Sequence, residues 1–308
     1  MKEIVLITGA GGFVARELSK KIAQQYSVRF LTRSKRQANE FEWDIKKGII
    51  DESAFDNISH IIHLAGANIS EKRWTDERKK ELISSRVDSA KLLLNTLQKK
   101  NIKLKSFISA SGINFYGTTT TEKIYTESDQ PGNDFLSEVV VLWEKSADEF
   151  KEQNLAERVV KIRTAIVLSE KEGALKKMMP PIQLGIGSPL GSGRQYMPWI
   201  HIEDICSVYE FALQNPHIHG AYNASSPQHT TNENFTKKTA EVLKKPLFMP
   251  NVPAFVLKIL FGELADALLE GSRASSQKIQ DAGFRFKFPD LKKALEDLLK
   301  NKNYYKNK

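Results

Sequence analysis

A doubly wound α/β fold, with a parallel sheet and a smaller C-terminal lobe, is what this 308-residue chain predicts. Three observations carry that expectation. Short unbroken apolar runs recur along the first half, stretches of helical periodicity separate them, and a glycine-rich turn follows the first run. An unbroken apolar run suits a strand covered on both faces. Strands that alternate with helices form βαβ units, whose right-handed crossovers make the sheet parallel.

In order, residues 3–8 read as the first strand, and Gly9-Ala10-Gly11-Gly12 turns into a helical pattern from Phe13 to Gln25. Val28–Leu31 is a second strand, ending at Thr32-Arg33-Ser34. His60–Ala65 is another, broken by Gly66, and helical patterns occupy about 75–81 and 84–99. Ser106–Ala110 is a strand that opens into a loop, a helix covers roughly 135–152, and Arg158–Arg163 is the next strand. Beyond about 168 the pattern loosens. Gly, Pro and Ser gather at 180–193, prolines punctuate 246–253, and helical patterns close the chain at Ala254–Leu269 and Leu291–Leu299. The expected division is a nucleotide-binding domain over 1–168, with core elements recurring around 196–225, and a substrate-side lobe over 169–308.

Composition narrows the function classes. At 41% hydrophobic the chain can build a core, so disorder is excluded. One cysteine, Cys206, excludes an internal disulfide framework and a multi-cysteine metal cluster. No apolar run reaches the roughly 20 residues that span a bilayer. Met1-Lys2-Glu3 leads into only four apolar residues, unlike a secretory signal, so a cytoplasmic setting is expected. The net charge of +9 comes from scattered lysines and the tail Lys300–Lys308, without the clustered basic stripe that nucleic acid requires. His217 and His219 lack a third ligand, so no metal site is expected.

Strand, glycine turn and helix in succession form the context in which glycines bind a dinucleotide, so the doubly wound sheet is of Rossmann type. Gly9, Gly11 and Gly12 leave room for a diphosphate to reach the backbone, and Phe13 and Val14 open the helix whose positive end meets it. Counting about 20 residues onward, where a carboxylate would bond the 2′-hydroxyl of NAD, lands on Thr32 beside Arg33. A guanidinium there suits a 2′-phosphate, so NADP(H) is the expected cofactor. Asp44 reads either as an adenine contact or as a turn residue.

With these residues placed, the chain resembles the extended short-chain dehydrogenase/reductase superfamily. Thr8–Ala15 is similar to its cofactor turn, and His63-Leu64-Ala65-Gly66 to its segment along the cofactor. Ser109–Ser111 with Tyr116-Gly117 is similar to its serine-rich strand end, and Trp199–Asp204 to its late substrate-side signature. Arg73-Trp74, Ser85-Arg86, Phe135-Leu136, Trp143-Glu144, Pro189–Gln195 and Ala282–Phe286 resemble an atypical epimerase-like subgroup carrying a C-terminal domain of unknown function.

The resemblance implies a tyrosine and a lysine four apart on one helix face, handling the proton while hydride moves to or from the nicotinamide. Anchored on Glu144, those positions hold Leu136 and Val140. Lys145 is out of phase, Ser85 stands where asparagine is usual, and Tyr304–Lys308 is the one tyrosine–lysine pair with that spacing. Ser111, or else Ser109, is what remains. Tyr116, Glu127 and His201 are candidate acids, Arg194 a candidate clamp for an anionic group, and Asn223 lies on a candidate substrate segment. The expectation is an NADP(H)-binding oxidoreductase or nucleotide-sugar epimerase-like enzyme, monomeric or homodimeric, acting on a small molecule. The alternative is a sensor or partner-binding module without turnover.

Overall fold

The computed structural model describes residues 2–300; the Tyr304–Lys308 pair lies outside them. In chain order the elements are β1 Ile4–Thr8, α1 Phe13–Ile22, β2 Ser27–Thr32, β3 Glu40–Asp44, β4 Ile49–Ile50, β5 Ile58–His63, α2 Asp76–Lys99, β6 Leu104–Gly112, β7 Ile124–Tyr125, α3 Phe135–Glu152, β8 Ala156–Thr164 and β9 Ile166–Leu168. There follow α4 Gly173–Gln183, β10 Trp199–His201, α5 Ile202–Gln214, β11 Gly220–Ala224, α6 Asn232–Leu243, α7 Ala254–Phe261, α8 Asp266–Leu269, β12 Arg273–Ala274, α9 Gln277–Asp281 and α10 Leu291–Lys300.

Eight strands form one sheet in the order β11-β8-β6-β5-β1-β2-β3-β4. β1 pairs in parallel with β2 on one side and with β5 on the other. The chain therefore winds outward through β3 and β4, returns past β1, and winds the other way. The reversal falls between β1 and β5, where doubly wound sheets bind their ligands.

The expected strands and the 135–152 helix are present, and the differences have local causes. The two helical patterns at 75–81 and 84–99 are one helix, α2, capped by Thr75, whose hydroxyl accepts the Arg78 N–H at 3.2 Å. β3 is a strand in a stretch to which the sequence assigns no element, because its pattern Glu-Phe-Glu-Trp-Asp buries only Trp43. It runs parallel to β2 after a link of 33–39 that contains no helix. α4 is a helix despite Pro180 and Pro181 inside it. The pattern 254–269 is interrupted at Gly262, whose φ of 61° ends α7.

The chain forms two compact units. The first comprises residues 1–115, 138–163 and 206–222, the second 116–137, 164–205 and 223–308. The core of the first packs Leu6, Leu31, Ile61, Leu93, Phe107 and Phe150, with the Phe107 and Phe150 rings stacked at 3.7 Å. The core of the second packs Trp199, Phe235, Phe288 and Leu295. Cys206, on α5, is buried at 3% exposure.

Candidate functional site

The glycine turn sits on the first unit at the reversal point. Gly9 has φ +74°, and a Cβ there would lie 2.9 Å from the Leu64 carbonyl oxygen, so the position excludes a side chain on two counts. Gly12 N–H closes the turn on Gly9 O at 2.8 Å and caps α1 without a side-chain bond. The first turn of α1 contains no acid, so the helix's positive end and its unpaired N–H groups face no carboxylate of their own. Nothing lies within 4 Å of a Cβ built on Gly11. A cradle this bare fits a diphosphate. Gly9→Ala is expected to cost about 1–3 kcal/mol, read as a lower melting temperature; an unchanged one would mean the turn relaxes around the methyl.

The segment 64–67 is strapped to β1 and α2. Thr8 Oγ1 accepts the N–H groups of Leu64 and Ala65, each at 3.0 Å. With both lone pairs used, its proton goes to His63 Nδ1 at 2.9 Å. His63 Nε2–H then donates to Ser89 Oγ at 3.1 Å, and the Ser89 hydroxyl donates to the Ser85 or Arg86 carbonyl. This network assigns the tautomer. His63 is fully buried, and that burial pushes its pKa down to about 4. Its side chain is thus a neutral brace, and Leu64, Ala65 and Gly66 present backbone. α2 grips the strap further on: Ser85 Oγ accepts the Ala67 N–H at 3.0 Å, and Arg86 donates to the Ala67 carbonyl at 3.1 Å.

At the end of β2, Arg33, Ser34, Lys35 and Arg36 are exposed. The neighbouring acid, Glu40, is turned onto the backbone N–H groups of Arg36 and Gln37, at 2.6 and 3.1 Å. Asp44 accepts the Lys47 N–H at 3.2 Å, the geometry of a turn residue.

Beyond β6 a buried ionic cluster organises Ser111. The Ser111 hydroxyl donates to Glu144 Oε1 at 2.6 Å. Arg163 grips the same carboxylate with two N–H groups, at 2.7 and 2.9 Å, and its guanidinium lies 3.4 Å over the Phe115 ring. Glu144 is 5% and Arg163 4% exposed. The Ser111 proton is therefore held by a carboxylate. On α3, Leu136, Val140 and Trp143 form a buried apolar face with no tyrosine or lysine on it.

The second unit brings three expected residues together. Tyr116 donates to Asn223 Oδ1 at 2.8 Å, and Glu127 accepts the Asn223 N–H at 2.7 Å. Asn223 Nδ2 donates to the Ser275 carbonyl at 3.0 Å, and Tyr116 stacks on Tyr125. His201 stands apart from them. Its Nδ1 accepts the Glu203 N–H at 3.1 Å, its ring packs 3.9 Å from Phe288, and burial lowers its pKa to about 4. Arg194 is an exposed side chain following the Gly191–Gly193 turn. Sequence reasoning missed the Glu144–Arg163 pair as a partner for Ser111, and it missed the burial of Arg86.

Among the described residues, no helix is long and apolar enough to cross a membrane. The sequence pattern of the NAD dependent epimerase/dehydratase family matches residues 5–225, and a domain of unknown function, DUF1731, matches 252–298. Epimerase family protein SDR39U1 of Mus musculus is 32% identical over 300 residues, 96% of this chain and 99% of its own. YfhF of Bacillus subtilis is 33% identical over 302 residues, 96% and 97% of the two chains. The crystal structure of human SDR39U1 (isoform 2) with NADPH matches at a TM-score of 0.86 and 30% identity, covering 97% of this chain and 99% of that one. MoeE5 in complex with UDP-glucose and NAD, at 18% identity and a TM-score of 0.78 over 98% of this chain and 99% of that one, shares the fold. With its glycine turn at the reversal of a doubly wound sheet and the domain of unknown function behind it, the chain belongs to the NAD-dependent epimerase/dehydratase family, in the atypical short-chain dehydrogenase/reductase subgroup of SDR39U1.

Proposed function

We propose that the chain is an NADP(H)-binding oxidoreductase or nucleotide-sugar epimerase-like enzyme that works without a Tyr-x-x-x-Lys pair. One observation carries the cofactor choice: the end of β2 offers an exposed Arg33, while Glu40 is spent on backbone amides. The NADPH in the human relative supports the same reading. Residues 1–168 take the nucleotide part, with core elements around 196–225, and 169–308 the substrate part. Gly9, Gly11, Gly12, Phe13 and Val14 hold the diphosphate, Thr32, Arg33 and Asp44 the adenosine end, and His63–Gly66 the strap along it. When bound, the cofactor supplies or accepts hydride at the nicotinamide.

The chain's own residues then orient substrate and handle the proton. Ser111 offers lone pairs, its proton being held by Glu144, and so acts as an acceptor toward a substrate hydroxyl. Tyr116 and His201 are the remaining proton-handling groups, with Arg194, Glu127 and Asn223 toward the substrate. The site acts on a small molecule, such as a nucleotide sugar, in a cytoplasmic monomer or homodimer.

A second reading has its own observation. With no tyrosine on α3 and the Ser111 proton committed, the fold serves equally as a sensor that binds NADP(H) without turnover.

Fluorescence titration tests the cofactor choice. NADPH is expected to bind more tightly than NADH, and Arg33→Ala to weaken NADPH roughly tenfold, the effect of losing one charged hydrogen bond, while leaving NADH unchanged. Equal affinities that ignore the substitution would overturn the choice. Isomer formation or absorbance change with a panel of nucleotide sugars separates enzyme from sensor.

A further inference from the structure

Three arginines are buried among the described residues, and two of them have carboxylate partners. Arg78 pairs with Glu81 at 2.6 Å, and Arg163 with Glu144. Arg86 has none. At 6% exposure its guanidinium donates to two carbonyls, Leu82 at 2.8 Å and Ala67 at 3.1 Å, and its Nε–H has no acceptor. Desolvation lowers its pKa only to about 10, so the group stays cationic at neutral pH. A buried cation without an anion is costly, because carbonyl dipoles replace only part of the lost hydration.

The surroundings of this cation are specific. The Trp143 ring lies 4.8 Å from the guanidinium carbon, and Trp143 Nε1–H is itself buried without an acceptor at 8% exposure. Gly66 packs against the guanidinium so closely that a Cβ there would sit 3.1 Å from Cζ. Gly66 belongs to the strap whose Leu64 carbonyl abuts Gly9. Two orphaned N–H donors, one of them charged, thus belong to two side chains in contact, and the charged one packs against the strap. Trp143 is three residues from Val140, on the α3 face that carries no lysine. The chemical complement of such a pair is an anionic oxygen.

We propose that Arg86, with Trp143, forms an anion site for a phosphate or carboxylate oxygen of the bound ligand, supplying from α2 a positive charge that the buried Leu136, Val140 and Trp143 face of α3 does not carry. The inference rests on the dinucleotide reading of the strap and deepens it: the ligand is acidic at this point. The oxygen comes either from the cofactor's own diphosphate or from a substrate's acidic group, and the experiment separates the two.

Wild type, Arg86→Met, Arg86→Lys and Trp143→Phe are compared in two measurements. The first is NADPH affinity by calorimetry. The second is the melting-temperature response to inorganic phosphate and to acetate, with and without saturating NADPH. If the cofactor supplies the oxygen, Arg86→Met raises the NADPH Kd at least tenfold, and saturating NADPH abolishes the wild-type response to both anions. If the substrate supplies it, NADPH affinity is unchanged, and the anion response persists under NADPH in wild type but not in Arg86→Met. Trp143→Phe shifts the same quantity severalfold. Wild type that binds NADPH while all three variants match it in both measurements overturns the site and leaves the cofactor reading standing. Wild type that binds no NADPH overturns that reading instead. Should Arg86→Met fail to fold, Arg86→Lys decides: at least a threefold loss in either measurement supports the site, and none overturns it.

Discussion

Glu144→Ala is expected to destabilise the protein by about 3–5 kcal/mol, because it leaves the Arg163 guanidinium buried with no counter-charge. In a chain of this size that loss lowers the melting temperature by roughly 5–8 °C. Removing both charges together, as Glu144→Leu with Arg163→Met, is expected to cost far less, since no orphaned charge remains. Chemical denaturation of the two variants checks this. A single variant no weaker than the double one would show that the carboxylate does not hold the guanidinium. The same substitution frees the Ser111 hydroxyl proton, so any turnover dependent on Ser111 as an acceptor changes with it.

Acid is expected to unfold the protein early. His63 and His201 have folded pKa values of about 4 against an unfolded value near 6.5. The folded state therefore binds fewer protons than the unfolded chain between those values. The stabilisation is fully present above pH 6.5 and is lost progressively as the pH falls to about 4, at about 1.4 kcal/mol per pH unit for each histidine. Over the whole window that amounts to about 3 kcal/mol per ring. Melting temperatures recorded from pH 7.5 to 4.5 should fall steadily below 6.5, and His63→Gln should flatten the slope by less than half, because the pKa values of His60 and His229 are lowered too. A flat profile, or an NMR titration showing the His63 imidazolium at pH 6, would contradict the neutral brace.

How much of this was legible in the sequence follows from what each element is made of. β1 announces itself because a strand buried on both faces is almost wholly apolar, while β5 and β6 carry buried histidines and serines and are legible from their Ile61-Ile62 and Phe107-Ile108 pairs. β3 does not, since Phe41 and Trp43 alternate with acids over five residues. α4 hides behind Pro180 and Pro181. α6 carried a usable signal, the Thr231 cap that accepts the Asn234 N–H at 3.3 Å, but its apolar stripe is thin. In the site, the glycine turn was readable because its constraint is local: backbone angle, missing Cβ and helix start occupy four consecutive residues. The Ser111–Glu144–Arg163 cluster was not, because its members come from β6, α3 and β8, and no spacing rule links them. Arg86 is the same case. Its charge suggests a surface, and only the packing of Gly66 and Trp143 reveals a buried guanidinium.

The lone thiol of this chain has a practical consequence. Cys206 sits buried on α5, so a maleimide or disulfide reagent finds nothing to attack while the packing around it stays intact. Its modification rate then counts opening events directly. A mass shift of one adduct, timed with and without nicotinamide coenzyme, would report how far ligand suppresses those openings, without any engineered label.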